Sequence, residues 1–124
     1  MKTILMILSL CFASLCWGAN SDPIIIYGDY DGAVALSKES NKPLLLIFGA
    51  DWCGYCTKLK KDILVDNSTQ LYITCVIDTD LDKSLSKKFK VRSLPTSIIV
   101  EDEVEKRRKT GYKNKQDYLD WLSQ

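Results

Sequence analysis

The chain has 124 residues, with 17 Lys or Arg against 16 Asp or Glu, five cysteines and no histidine. A chain of this length holds one domain around one core, and its near-even charge offers no bulk attraction to nucleic acid or acidic membranes. The lack of histidine removes a Cys–His hydrolase and leaves too few ligands for an ordinary zinc site.

Met1, Lys2 and Thr3 precede an apolar run over 4–17 that closes on Gly18 and Ala19. One positive charge, an apolar centre and a small-residue end form the pattern of a secretory signal peptide. A membrane span needs roughly 20 apolar residues, more than this run supplies. The expected division is a signal peptide over 1–18 and a domain over 19–124. The protein is then exported, periplasmic or beyond, with no stable membrane insertion. Lipidation at Cys11 or Cys16 is the competing reading; both follow a leucine, where a lipoprotein signal has a small residue. Losing Lys2 brings the 17 basic residues level with the 16 acidic ones.

Residues 24–27 read as a short first strand. Asp29 or Asp31 caps a helix that runs through Ser40 and ends at Asn41-Lys42-Pro43. Residues 44–48, all apolar, have the length and composition of a buried parallel strand. After Asp51-Trp52-Cys53-Gly54-Tyr55-Cys56 comes a second helix, with Cys56, Leu59 and Ile63 on one face at i, i+3 and i+7. Residues 66–69 break it, and residues 72–77 form the next strand. Leu81, Leu85 and Phe89 are spaced i, i+4, i+8 and predict a helix to about Lys90. Residues 96–100 form a strand that turns at 101–103 into a charged strand over 104–110. Asn114 caps a last helix whose inward face is Tyr118, Trp121 and Leu122. This order, βαβαβαββα, predicts an α/β fold with a mixed central sheet and helices on both sides. Its second strand lies centrally and carries Cys53 and Cys56 at its carboxyl end, where open α/β sheets place their sites.

The two cysteines sit where that strand ends and a helix begins. The free N–H groups and macrodipole of a helix N-terminus favour an anion, so Cys53 can be held as a thiolate below its ordinary pKa of about 8.5. Cys56, one turn on, is close enough to close a disulfide with it. A static disulfide is the plainer reading, but one spanning a single turn constrains little chain. Thr57 after Cys56 rules out a c-type haem attachment site. Cys75, inside an apolar strand, reads as an inert small hydrophobe. Lys106, Arg107, Arg108 and Lys109 read as the charges that protect an edge strand rather than as a binding patch. Lys58, Lys60 and Lys61 read as the solvent face of the second helix, with Lys58 lowering the thiolate pKa slightly.

The run from Phe48 to Cys56 resembles the active-site segment of the thioredoxin superfamily. Val91-Arg92-Ser93-Leu94-Pro95-Thr96 resembles the segment carrying that family's cis-proline, and Gly111 fits the glycine after the last strand. The resemblance runs from about Ile24 to the C-terminus. Within the superfamily the chain looks most like the C-terminal periplasmic domain of the membrane thiol:disulfide interchange protein and its soluble stand-alone relatives. The resemblance implies a thioredoxin-like fold, a cis Leu94–Pro95 bond, and Cys53 and Cys56 as catalytic nucleophile and resolving thiol. It implies that Trp52, Gly54, Tyr55, Leu94 and Pro95 contact substrate, the backbone of Leu94 pairing with an extended segment. No metal and no cofactor is expected. The expected partners are disulfide-containing proteins and an upstream thiol electron donor, with the chain acting as a monomer.

Two positions depart from cytosolic thioredoxins. Ile47 stands where they carry a buried Asp, and Thr74 where they carry the neighbouring Lys, which removes the carboxylate that would take a proton from Cys56. The expected function is an exported oxidoreductase that reduces protein disulfides. A disulfide isomerase or oxidant is an alternative, since Gly54-Tyr55 is also the dipeptide of the periplasmic isomerase. A binding or chaperone module with an incidental dithiol is an alternative of another class.

Overall fold

The structure, a computed structural model, describes residues 22–124. The expected signal peptide over 1–18 and the competing lipidation sites Cys11 and Cys16 lie outside the described residues.

Strands β1 (Ile24–Tyr27), β2 (Leu44–Gly49), β3 (Ile73–Asp78), β4 (Thr96–Glu101) and β5 (Val104–Thr110) form one sheet in the order β1-β3-β2-β4-β5. β1, β3 and β2 run parallel, and β4 and β5 antiparallel to their neighbours. β2 is the central strand, and all six of its residues are buried. Burial on both faces is why its sequence is a continuous apolar run rather than an alternating one.

Successive residues of β2 serve two cores because strand side chains alternate between faces. Leu44, Leu46 and Phe48 join Ile73, Cys75, Ile77, Ile98 and Val100 on one face. Helices α1 (Tyr30–Ser40) and α3 (Lys83–Lys88) cover that face through Ala33, Val34, Leu85 and Phe89. Leu45, Ile47 and Ile99 face the other way, against Leu59 and Ile63 of α2 (Gly54–Ile63) and Tyr118, Trp121 and Leu122 of α4 (Lys115–Leu122). Each such side chain contributes about 1.5–3 kcal/mol when buried. Two separately filled cores fix the sheet between two helical layers, which holds the end of β2 in place.

Local chemistry sets the helix ends. Asp29 accepts the Gly32 N–H at 2.9 Å and starts α1; Asn41, at φ 52, ends it in the left-handed conformation. Asn114 accepts the Asp117 N–H at 2.9 Å and starts α4. The helix expected around Leu81 begins later. Asp82 caps α3 by accepting the Leu85 N–H at 3.0 Å, so the first helical residue is Lys83. Leu81 lies in the preceding turn, 87% exposed. Its spacing with Leu85 and Phe89 suggested a shared face, but the Asp82 cap falls between them. β3 likewise begins at Ile73, because the Tyr72 N–H turns back to the Thr69 carbonyl and its hydroxyl donates to the Leu122 carbonyl.

β4 and β5 are joined by Asp102 and Glu103, at φ 50 and 61, with Glu101 paired to Val104. Two successive positive φ values are those of a type I′ hairpin turn, which suits the twist of the flanking strands. β5 is an edge strand, and its charges do point to opposite faces. Arg107 donates to the Trp121 and Leu122 carbonyls at the end of α4; Arg108 donates to the Phe89 and Lys90 carbonyls at the end of α3. Cations at helix C-termini satisfy carbonyls left without helical partners.

Candidate active site

The site begins where β2 runs out. The Gly49 carbonyl accepts the Thr79 N–H at 2.9 Å, tying the end of β2 to the loop after β3. The Ala50 carbonyl accepts the Cys53 N–H at 3.1 Å, closing a tight turn. Cys53 then takes the N-cap of α2, with extended backbone angles, and its Sγ lies 3.2 Å from the Cys56 N–H. The first turn of α2 carries no acidic residue to oppose a negative sulfur there.

Cys53 and Cys56 are joined in a disulfide, with Cα atoms 5.2 Å apart. Cys56 is 2% exposed and Cys53 8%, so Cys53 is the sulfur nearer to solvent. A Cβ added to Gly49 would lie 3.2 Å from both Cβ and Sγ of Cys56. The end of β2 therefore favours a glycine: a side chain there would make a contact tighter than an ordinary van der Waals one with the first turn of α2.

The other wall is the loop before β4. The Leu94–Pro95 peptide bond is cis, and Leu94 packs against Ala50, Cys53 and Cys56. The Pro95 carbonyl accepts the Gly111 N–H at 2.7 Å, and Gly111 has φ 82, a conformation that favours glycine. Thr96 Oγ1 donates to the Ser93 carbonyl at 2.6 Å. Leu94 and Pro95 are thus brought to the dithiol by β4 and pinned there from β5. Trp52 is 73% exposed and Tyr55 63%, and Gly54 between them is open, so residues 52–55 present an apolar surface around a nearly covered disulfide. Trp52 Nε1 donates to Asp80 Oδ2 at 2.9 Å. A recess of about 370 Å³ beside Lys38 and Glu103 lies at the opposite end of the sheet and holds none of these residues.

Among the described residues no carboxylate is buried. Ile47, paired in register with Val76 and Ser97, is buried in the cluster of Leu45, Leu59, Ile63 and Tyr118, and the buried polar side chains among the described residues are Thr69, Thr74, Thr96 and Ser97. Thr74 Oγ1 has no hydrogen-bond partner. Cys75 faces the α1 side of the sheet, away from the dithiol, and burial pushes its thiol up to about 12, with a smaller push from Asp29. It is a free thiol held neutral, which makes it a poor nucleophile.

Three contributors were not singled out in the sequence. Gly49 had a signal, a glycine ending an apolar run beside a cysteine turn. Asp80 and Thr79 had none, since each meets the site only through a contact about 30 positions away in the chain.

A family model described as a thioredoxin-like domain matches residues 30–124. The thioredoxin-related protein DsbJ of Chlamydia pneumoniae is 32% identical over 120 residues, a match covering 83% of this chain and 34% of that protein. The chain thus spans about a third of that relative's length. The thioredoxin of Mycobacterium tuberculosis is 34% identical over 87 residues, covering 68% of this chain and 74% of that one. Among solved structures, a thioredoxin variant from Halobacterium salinarum superposes with a TM-score of 0.71 at 23% identity, over 86% of this chain and 94% of that one. A poplar thioredoxin h gives 0.70 at 21%, over 83% and 95%.

Proposed function

Given that the chain belongs to the thioredoxin-like family and is a thiol–disulfide oxidoreductase, we propose that it is exported and reduces disulfides of protein substrates. Cys53 is the attacking thiolate and Cys56 the resolving thiol. Trp52, Gly54, Tyr55, Leu94 and Pro95 form the surface that receives the substrate. The supporting observation is the placement of Cys53 Sγ at the N-cap of α2, more open than Cys56 and beside Leu94.

The reaction passes two electrons. The Cys53 thiolate attacks one sulfur of the substrate disulfide; a bond forms between them, the substrate bond breaks, and one substrate thiolate leaves. Cys56, once deprotonated, attacks Cys53 Sγ, restoring the intramolecular disulfide and releasing the second substrate thiolate. The two leaving sulfurs take up the protons the dithiol gives up. An upstream thiol donor then returns two electrons. With no carboxylate among the buried polar side chains of the described residues, the proton of Cys56 goes to water or to the departing substrate thiolate.

Export rests on the charge and hydropathy pattern of residues 1–18, with the domain following from residue 19. Reduction rather than oxidation rests on the absence of any histidine between the cysteines and on the apolar Leu94 before Pro95. Trapping tests the roles: Cys56→Ser accumulates mixed disulfides with client proteins, and Cys53→Ser accumulates none. Equal trapping by both variants would overturn the assignment of attacking and resolving thiols, and no reduction of insulin disulfides by the wild type would leave a binding module in place of the enzyme.

A further inference from the structure

Two recesses run into one another beside the dithiol. One, of about 270 Å³, lies against Trp52 and Leu94. The other, of about 450 Å³, lies along α3 and the segment that follows it. Thr79, Ser86, Val91 and Arg92 line both, so the two form a continuous groove leading away from the indole next to Cys53.

The far half of this groove is basic. Lys83 and Lys87 stand one turn apart on α3 and line it together with Lys90 and Arg92. All four are exposed, and none enters an ion pair among the described residues. Lys88, on the same helix, is used otherwise and lies over the rings of Tyr30 and Phe89. The neighbouring carboxylates are turned to other donors: Asp78 to the Asp80 N–H, Asp80 to the Trp52 indole, and Asp82 to the Leu85 N–H. Four unpaired like charges on one short stretch repel one another, which an anionic partner relieves.

The groove is also held in shape. Lys90 takes a positive φ of 53, and the Lys90 and Val91 N–H groups close α3 onto the Lys87 and Ser86 carbonyls at 3.1 and 2.9 Å. These two bonds are those of a Schellman motif. From behind, Arg108 holds the Phe89 and Lys90 carbonyls. The basic side chains therefore project from a fixed backbone and not from a free loop.

We propose that this groove binds an acidic segment of the protein whose disulfide Cys53 attacks, so that charge complementarity selects the substrate. The inference rests on the reductase reading above and adds the substrate's chemistry to it. An extended segment advances about 3.3 Å per residue, so Glu or Asp within about six positions of the reacting cysteine reaches the lysines while the cysteine sits at Cys53.

The test uses disulfide-linked peptides that differ only in having Glu, Gln or Lys at the positions flanking cysteine. Second-order rates with the reduced protein are divided by rates with dithiothreitol, which removes the peptides' own differences in reactivity. At about 10 mM ionic strength, where screening is weak, the Glu peptide reacts about tenfold faster than the Gln peptide, an electrostatic effect on encounter, and the Lys peptide slower. At 0.5 M salt the rates converge. Lys87→Gln/Arg92→Gln lowers the Glu preference at least threefold. Lys42→Gln/Lys106→Gln, an equal change of charge away from the groove, leaves it intact. Equal rates for Glu and Gln peptides in the wild type, or a preference unchanged by the first pair and lost with the second, overturn the groove while leaving the reductase standing. Failure of all three peptides to react overturns the reductase reading and the inference with it. Binding to anionic lipid vesicles without any peptide preference assigns the patch to a membrane surface and also overturns it.

Discussion

Trp52 Nε1 and Asp80 Oδ2 are 2.9 Å apart, joining the residue before the first active-site cysteine to the loop after β3. The indole is largely exposed, so packing alone does not fix its angle. Asp80 holds it as one wall of the groove that leads to Leu94.

Asp80→Ala frees that indole. The expected result is a three- to tenfold fall in kcat/KM for a protein disulfide, carried mainly by KM, with a small disulfide such as hydroxyethyl disulfide reduced at the wild-type rate. Stability changes by less than about 1 kcal/mol, since the bond is exposed. An equal loss with both substrates would place Asp80 in the chemistry and not in substrate reception.

Gly49→Ala puts a methyl group 3.2 Å from Cys56 Cβ and Sγ. Both contacts fall on Cys56, so the first turn of α2 must give by a few tenths of an ångström to admit it. Overpacking of this kind costs about 1–3 kcal/mol, visible as a lower urea midpoint at unchanged slope. A midpoint equal to the wild type would mean that α2 shifts without cost.

Cys75 and Asp66 contribute opposite pH dependences to stability away from the dithiol. Cys75 is pushed up to about 12 by burial, so folded and unfolded chains are both protonated below the ordinary thiol range near 8.5. Its contribution is intact there and is lost as pH rises toward 12, where only the unfolded chain ionises. Asp66 moves the other way: hydrogen bonds from Lys115 and Ser68 lower it to about 2. Its contribution is present above about pH 4 and lost as pH falls through 2. Cys75→Ala therefore shows a smaller alkaline loss than the wild type between pH 9 and 11, and Asp66→Asn a smaller acid loss. N-ethylmaleimide leaves Cys75 unlabelled at pH 8 in the folded protein and labels it in urea.

The central strand, the turn of cysteines and the helix after it were legible because each follows from local composition. Residues 44–48 are apolar on both faces, as a strand covered on both sides must be. Tyr118, Trp121 and Leu122 fell on one helical face and are all buried. Leu81 was misplaced because periodicity ignores capping: Asp82 starts the helix one residue beyond it. The contacts of Asp80 with Trp52, and of Arg107 and Arg108 with the ends of α4 and α3, depend on strands brought together from distant parts of the chain. Sequence spacing carries no trace of them. The basic groove was hidden for the same reason. Lys83, Lys87, Lys90 and Arg92 look like ordinary surface charges until the fold sets them along one recess, which Arg92 joins to the one beside Trp52.

The direction of electron flow is the claim on which the proposed function turns, and the potential of the Cys53–Cys56 couple tests it most directly. The α2 N-terminus stabilises the Cys53 thiolate, and Ile47 removes a buried charge that would oppose it; both favour the reduced form. No histidine adds to this effect, and Tyr55 contributes no charge. Equilibration with glutathione, acid quenching, thiol trapping and mass measurement give the value. The account predicts roughly −200 to −260 mV, between protein disulfide isomerase and thioredoxin. A value near −120 mV, that of a strong disulfide donor, would contradict it and make the protein an oxidant.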